Sequence, residues 1–185
     1  ISKDRGPAIL FKNTGTAFPL LINAYGSEKR IAMAISHSSL PEAAEDIENT
    51  FLTLMSPSHT VKEKLKLLPR LASLARIMPA RLRRRGRCQE LVNTDPDLSI
   101  LPVLKCWPHD GGRFITLPIV HTVHPVTGKP NAGMYRMQVL DRNTTGMHWQ
   151  LHKTGANHYA EWKKLGGRMP VSVVLGGDPV YTYAA

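Results

Sequence analysis

Residues 146–152 read Gly-Met-His-Trp-Gln-Leu-His and carry two imidazoles and an amide at alternate positions. On a strand alternate side chains share a face, so His148, Gln150 and His152 point one way and Met147, Trp149 and Leu151 the other. The strand expected before it offers Met134, Arg136, Gln138 and Leu140 on one face and Tyr135, Met137 and Val139 on the other. A hairpin pairing 138 with 148 and 136 with 150 gathers Arg136, Gln138, His148 and Gln150 into one polar wall, with Met134 opposite His152. A cation beside amides and imidazoles suits an anionic ligand, a metal ion or both. A plain solvent-facing sheet surface is the competing reading, and a slip of one residue would scatter the set. Asn131, at the start of that strand, is a hard oxygen donor for Mg²⁺ or Mn²⁺ or simply a turn residue after Pro130. His121 and His124, three apart, do not share a face of an ideal strand and read as structural or exposed. Dinucleotide, Walker, zincin and nucleophile-elbow signatures are absent, which leaves phosphate-loop, zinc-hydrolase and serine-hydrolase chemistry without a motif.

The elements that must position these groups follow from periodicity. Residues 7–12 and 19–23 read as short strands joined through the Asn13-Thr14-Gly15 turn. The pattern becomes helical from Glu28, and Pro41-Glu42-Ala43-Ala44-Glu45-Asp46 has the early proline and acids of a helix start, continued by Ile47, Phe51 and Leu54. A further amphipathic stretch runs through Val61, Leu65, Leu68, Leu71 and Leu74, interrupted by Pro69. Strands are expected over 114–123, 133–140, 146–152 and 170–175, with a helix over about 156–165. The whole is α+β: an α/β unit over 1–80, a basic and Pro/Asp-rich connector over 81–106, and a mainly β unit over 107–185.

Composition narrows the class. The chain has 185 residues, 42% of them hydrophobic, enough for a core. No apolar run approaches the ~20 residues of a membrane span. The start, Ile1-Ser2-Lys3-Asp4-Arg5, has neither an initiator Met nor the apolar core of a signal peptide, so the chain is expected to begin inside a longer one. Cys88 and Cys106 are too few and too far apart for a CxxC metal site and read as free thiols in a reducing cytoplasm. The formal net charge of +10 is local: residues 61–90 hold ten Lys/Arg against two Asp/Glu, centred on Arg81–Arg87. Such a run can bind nucleic acid by counterion release or stand as a solvated, carboxylate-paired segment. Few aromatics interleave with it, which favours the second.

Four longer motifs are more specific together than apart. They are Trp107-Pro108-His109-Asp110-Gly111-Gly112-Arg113-Phe114-Ile115-Thr116, Asn131-Ala132-Gly133-Met134-Tyr135-Arg136-Met137-Gln138, Gly146-Met147-His148-Trp149-Gln150 and residues 170–179, Pro170 to Pro179. In order and spacing they resemble the UbiD family of non-oxidative decarboxylases (carboxy-lyases). The resemblance covers nearly the whole chain and is strongest over 93–185. It implies a split β-barrel similar to flavin-reductase and FMN-binding folds after the amino-terminal unit. It also implies a flavoprotein whose cofactor is prenylated FMN, held through a divalent metal, typically Mn²⁺, with K⁺ nearby.

By motif match, Asn131 and His152 would be metal ligands. Met134, Tyr135, Arg136, His148, Trp149 and Gln150 would contact the cofactor, with Lys153 near its phosphate. Arg136 matches the family's catalytic arginine. The implied substrate is an aromatic or α,β-unsaturated carboxylic acid, and a 4-hydroxybenzoate derivative in ubiquinone biosynthesis is one such acid. A flavin prenyltransferase would supply the cofactor, the full-length protein would be a homo-oligomer in the cytoplasm, and a prenylated substrate would bring it to the membrane surface. Two departures stand out: His148 replaces an arginine of the ubiquinone-pathway members, and Lys153-Thr154 an Arg-Gly pair. The third metal ligand and the catalytic acids of the family lie beyond Ala185, so the chain alone is expected to be inactive. A plain FMN-binding or flavin-reductase-like module, and a basic nucleic-acid-binding protein, are the alternatives.

Overall fold

The computed structural model describes residues 6–55 and 83–185, together with Pro69 and Ala72. The amphipathic stretch read over 61–74 and the start of the basic run lie largely outside the described residues. The chain forms two compact units, one made of Ile1–Leu40 with Pro96–Ala185 and the other of Pro41–Asp95.

The first unit opens with strands β1 (Ile9–Phe11) and β2 (Leu20–Ile22), paired antiparallel with Ile9 opposite Ile22. Between them Gly15 has φ +73°, a left-handed conformation that glycine adopts without a Cβ penalty. Helix α1 (Glu28–Ala34) starts where the Ser27 hydroxyl accepts from the Arg30 amide at 3.2 Å, a cap that satisfies one of the orphan N–H groups of the first turn. The Arg30 guanidinium donates to the carbonyls of Gly6, Asn23 and Ala24, tying the helix to the entering chain. In the second unit lies nearly all of helix α2 (Leu40–Met55), where Ile47 and Phe51 are exposed on their described surface.

The strand-rich part contains β3 (Arg113–Ile115), β4 (Ile119–Val123), β5 (Pro130–Met134), β6 (Met137–Val139) and β7 (Thr145–Met147). Helix α3 (Thr154–Lys164), strand β8 (Ser172–Val174) and helix α4 (Pro179–Ala184) follow. The strands form two three-stranded sheets, ordered β3-β6-β7 and β5-β4-β8. The expected strand over 114–123 is therefore two strands in different sheets, and so is the one over 133–140. The first breaks at Thr116-Leu117-Pro118, where proline removes an amide donor and fixes φ. The second breaks at Tyr135-Arg136. Ile115 pairs with Met137 before the break and Ile119 with Met134 after it, so three residues on one strand face two on the other, a bulge-like mismatch that bends the ribbon from sheet to sheet.

The α+β class is observed. The two sheets do not close into a barrel among the described residues: β3 and β7 remain edges of one, β5 and β8 of the other. The core at the bend is Val120, Tyr135 and Met137, with Ile115, Met147 and Trp149 packed against it. Full burial of a side chain such as Val120 or Met137 contributes about 1.5–3 kcal/mol through removal from water. The amino-terminal hairpin side joins this unit through Tyr25, whose hydroxyl donates to the Pro179 carbonyl at 2.9 Å and whose ring meets Tyr183 at 6.3 Å. Cys88 and Cys106 are exposed free thiols. No helix of the described residues is long and apolar enough to cross a membrane.

Candidate functional site

The bend brings the polar wall together, in a register other than the expected one. Gln138 pairs with Gly146, and the His148 amide donates to the Arg136 carbonyl at 3.0 Å, a displacement of two residues from the pairing of 138 with 148. Because side-chain direction repeats every two residues, a shift of two preserves the face where a shift of one would destroy it. Arg136, His148 and Gln150 thus still meet. With Met134, Tyr135 and Lys153 they line an open cavity of about 370 Å³.

Each wall residue is held by a distinct feature. Tyr135 is buried at the bend, and its hydroxyl accepts the Gly155 amide at 2.8 Å, which docks the first turn of α3 on the cavity floor. Glycine is needed at 155: a Cβ there would lie 2.6 Å from the Tyr135 hydroxyl and 2.7 Å from Cζ3 of Trp149. Lys153 donates to the Met134 carbonyl at 3.0 Å and lies 5.1 Å from the Tyr135 ring centroid. The Arg136 guanidinium lies 4.5 Å from the Phe114 ring centroid. The lining carries Arg136 and Lys153 and no carboxylate. Among the described residues Arg136 forms no ion pair. The amino end of α3, with its partial positive charge and no acid in its first turn, begins beside Lys153. The cavity is therefore electropositive and fits an anion.

Three residues singled out in the sequence lie elsewhere than expected. Trp149 is not in the cavity lining; it packs edge-on to Tyr135 at 5.0 Å and stacks on Tyr159 at 6.1 Å, buttressing the wall from behind. Gln138 shares the Arg136 face, yet its amide donates to the Gly111 carbonyl at 3.1 Å and so fixes the 107–112 turn. His152 does not sit on a strand opposite Met134. Strand β7 ends at Met147, and a turn closed by the Lys153 amide on the Gln150 carbonyl at 3.0 Å leads into α3, leaving His152 exposed. Asn131 sits on β5 opposite Thr122 of β4, so Asn131 and His152 are not on adjacent strands of one hairpin. Asn131 Nδ2 is buried with no hydrogen-bond partner among the described residues. No group of three His, Cys, Asp or Glu side chains among the described residues is arranged to hold a metal.

Behind the cavity lies a pair without a sequence signal of its own. His158 of α3 is buried, and its Nδ1 is 2.9 Å from the Thr122 hydroxyl. Burial pushes its pKa below the usual histidine range, with the neighbouring His124 acting in the same direction. His124 stands edge-on to it at 5.4 Å and accepts the amides of Val126 and Thr127. His121 meets the Tyr181 hydroxyl at 2.6 Å. Both histidines read as structural or exposed in the sequence have structural partners. The roles of Phe114, Gly155 and His158 carry no signal in the sequence, because Arg136, Tyr135 and Thr122, which define them, lie 20 or more positions away.

Comparison with known proteins matches this architecture. The family model described as UbiD, the 3-octaprenyl-4-hydroxybenzoate carboxy-lyase Rift-related domain, matches residues 80–185, and that of the corresponding amino-terminal domain matches residues 1–48. An uncharacterised protein of Aquifex aeolicus is 42% identical over 97% of this chain and 37% of its own length. A 4-hydroxybenzoate decarboxylase subunit of Chlamydia pneumoniae is 36% identical over 100% of this chain and 31% of its own. The chain thus spans about a third of the length of the curated relatives it matches. Among solved structures, vanillic acid decarboxylase of Sedimentibacter hydroxybenzoicus in closed form superposes with TM-score 0.71 at 22% identity, over 96% of this chain and 35% of that one. The UbiD-class enzyme HmfF of Pelotomaculum thermopropionicum, in complex with FMN, gives 0.68 at 19% identity, over 93% and 34%.

Proposed function

We propose a function from the premise that the chain belongs to the UbiD family of carboxy-lyases. In this reading it is part of a non-oxidative decarboxylase for an aromatic or α,β-unsaturated carboxylic acid, dependent on prenylated FMN. The observation that carries it is the electropositive cavity, whose six lining residues are six of the seven cofactor-contacting residues that the motifs imply. The names of the relatives add support, since one is a 4-hydroxybenzoate decarboxylase subunit and HmfF is found with FMN and, in an evolved dimeric form, with prFMN. The two sheets would then be part of a split barrel, with an amino-terminal unit to residue 80, a connector over 81–106 and the cofactor-binding unit over 107–185.

The residues present fit such a group. Lys153 and the amino end of α3 would hold a phosphate, and Tyr135, Met134 and His148 would flank the ring system, with Trp149 acting through Tyr135. A half-turn of the buried Asn131 amide exchanges its unpartnered donor for an oxygen, the hard donor that Mn²⁺ prefers. His152 would be a second ligand, carried on a turn that Lys153 pins to the end of β5; K⁺ would lie near the same phosphate. These are two donors, and the remaining ligand would come from beyond this chain. When bound, the prenylated flavin supplies the electron sink for the charge left on carbon as CO₂ departs. Arg136 would bind and orient the substrate carboxylate by charge-assisted hydrogen bonds. The packed bend of Tyr135, Trp149 and Val120 would shield one side of the cavity from water, which strengthens those bonds.

The same reading includes a flavin prenyltransferase as cofactor source, a homo-oligomeric full-length protein, a cytoplasmic location and no nucleic-acid partner. A quinone-pathway acid and contact with a membrane surface belong to it only where the substrate is prenylated. The test is reconstitution of the full-length protein with prenylated FMN and measurement of CO₂ release from 4-hydroxybenzoate, vanillate and cinnamate. Release that is abolished in Arg136→Gln supports the reading. No release, with binding of ordinary FMN alone, supports a simple flavin-binding module instead. The 185-residue chain by itself is expected to bind flavin and release no CO₂.

A further inference from the structure

We infer that Phe114 is a positioning residue that fixes the Arg136 guanidinium at the cavity, and that this is the task of the Trp107–Thr116 motif, which the cavity lining itself does not include. The inference rests on the reading of Arg136 as the group that binds a carboxylate. Phe114 of β3 pairs with Gln138 of β6, so Arg136 is its diagonal neighbour two residues along on the same face. That separation is within reach of an aromatic ring and a long side chain. The guanidinium carbon lies 4.5 Å from the ring centroid, where the negative face of the ring attracts a cation. Arg136 is exposed and has no carboxylate partner among the described residues, so nothing else charged among them restrains its fork.

Phe114 is itself well anchored. Its amide donates to the Leu104 carbonyl at 2.8 Å, and the neighbouring Arg113 guanidinium donates to the Val103 carbonyl at 3.2 Å. The preceding turn is closed by the Trp107 amide on the Asp110 carboxylate and is pinned to the same sheet face by the bond from Gln138 to Gly111. Turn, ring and cation therefore form one assembly. A guanidinium held over a ring loses less rotamer freedom when a carboxylate arrives than a free one does, and this preorganisation raises affinity without a new contact to the ligand.

The test is a double-mutant cycle on benzoate binding to the full-length, flavin-loaded protein, followed by calorimetry. Phe114→Leu keeps an apolar side chain and removes the ring; Phe114→Tyr keeps the ring face. Phe114→Leu should weaken benzoate by about two- to five-fold, the size of an exposed cation–ring contact. Phe114→Tyr should restore most of the loss, and Phe114→Leu should have no effect once Arg136→Gln is present. Equal losses from Phe114→Leu with and without Arg136, or a Tyr variant as weak as Leu, would overturn the positioning role and leave the site reading intact. Benzoate affinity unmoved by Arg136→Gln would overturn the site reading, and this inference with it. Flavin content measured by absorbance separates both from loss of fold.

Discussion

Two regions, the open cavity wall and the buried face of helix α3, use the same kinds of residue to opposite ends. Toward the cavity, His148, Arg136 and Lys153 are exposed, cationic or polar, and face an opening of about 370 Å³. On the buried face of α3, His158 is 4% exposed and bonded to a buried threonine, and burial lowers its pKa. A histidine in an open wall is available to a ligand, whereas one that is buried and hydrogen-bonded inside the fold is a fastener. Burial and hydrogen bonding, rather than residue type, assign the role. Variants on the cavity side should therefore change binding with little effect on stability, and variants behind it the reverse.

The largest effect is expected at the seam between the two sides. Gly155→Ala would gain about 1 kcal/mol of helix propensity. It would also place a Cβ 2.6 Å from the Tyr135 hydroxyl in a packed interior, and overpacking of this kind costs about 1–3 kcal/mol or more. Net destabilisation together with loss of flavin binding, read by urea denaturation and flavin fluorescence, is the expected result; a variant as stable as the parent would mean that the seam is loose. On the cavity side, Arg136→Gln should weaken an aromatic carboxylate about ten-fold or more, the size of a lost charged hydrogen bond, while the denaturation midpoint stays put. A shifted midpoint would erase the distinction between the two sides.

On the buried face of the helix, Thr122→Val leaves the His158 nitrogen without its partner and should cost about 1–2 kcal/mol, with unchanged affinity for flavin. The pH dependence of His158 sharpens the same point. Its folded pKa is depressed, so below the ordinary value of 6.5 the unfolded chain takes up the proton more readily than the folded one. Stability due to this group is therefore full above pH 6.5 and declines as the pH falls from there toward the folded pKa. Removing His158 with Gln should flatten that part of the stability curve; an unchanged slope between pH 5 and 7 would show that the group is not protected. The smallest effect is expected in the other compact unit. Arg83, Arg84 and Arg85 are exposed, and neutralising all three should leave RNA and DNA binding at the background level of the parent in a filter assay. Tight parental binding that vanishes on neutralisation would establish a nucleic-acid site there.

The membership of the wall, and the family that its motifs share, follow from residue order alone. The period of two in strand side chains puts Arg136, His148 and Gln150 on one face in any register displaced by an even number, so the grouping survived an expected pairing that was two residues off. The amino-terminal hairpin, α1, the start of α2 and α3 within two residues were legible for similar local reasons: a turn glycine, an early proline with acids in the first turn, and a helical period. Where the strands break depends instead on packing in three dimensions. Three residues around Pro118 facing two around Tyr135 is a property of two strands together, and neither segment announces it alone. That bend moved β4 and β5 into a second sheet and carried Asn131 away from a shared hairpin with His152. It also supplied the partners that give Phe114, Gly155 and His158 their parts, since a cation over a ring, a missing Cβ and a buried, hydrogen-bonded imidazole are defined by what lies across from them.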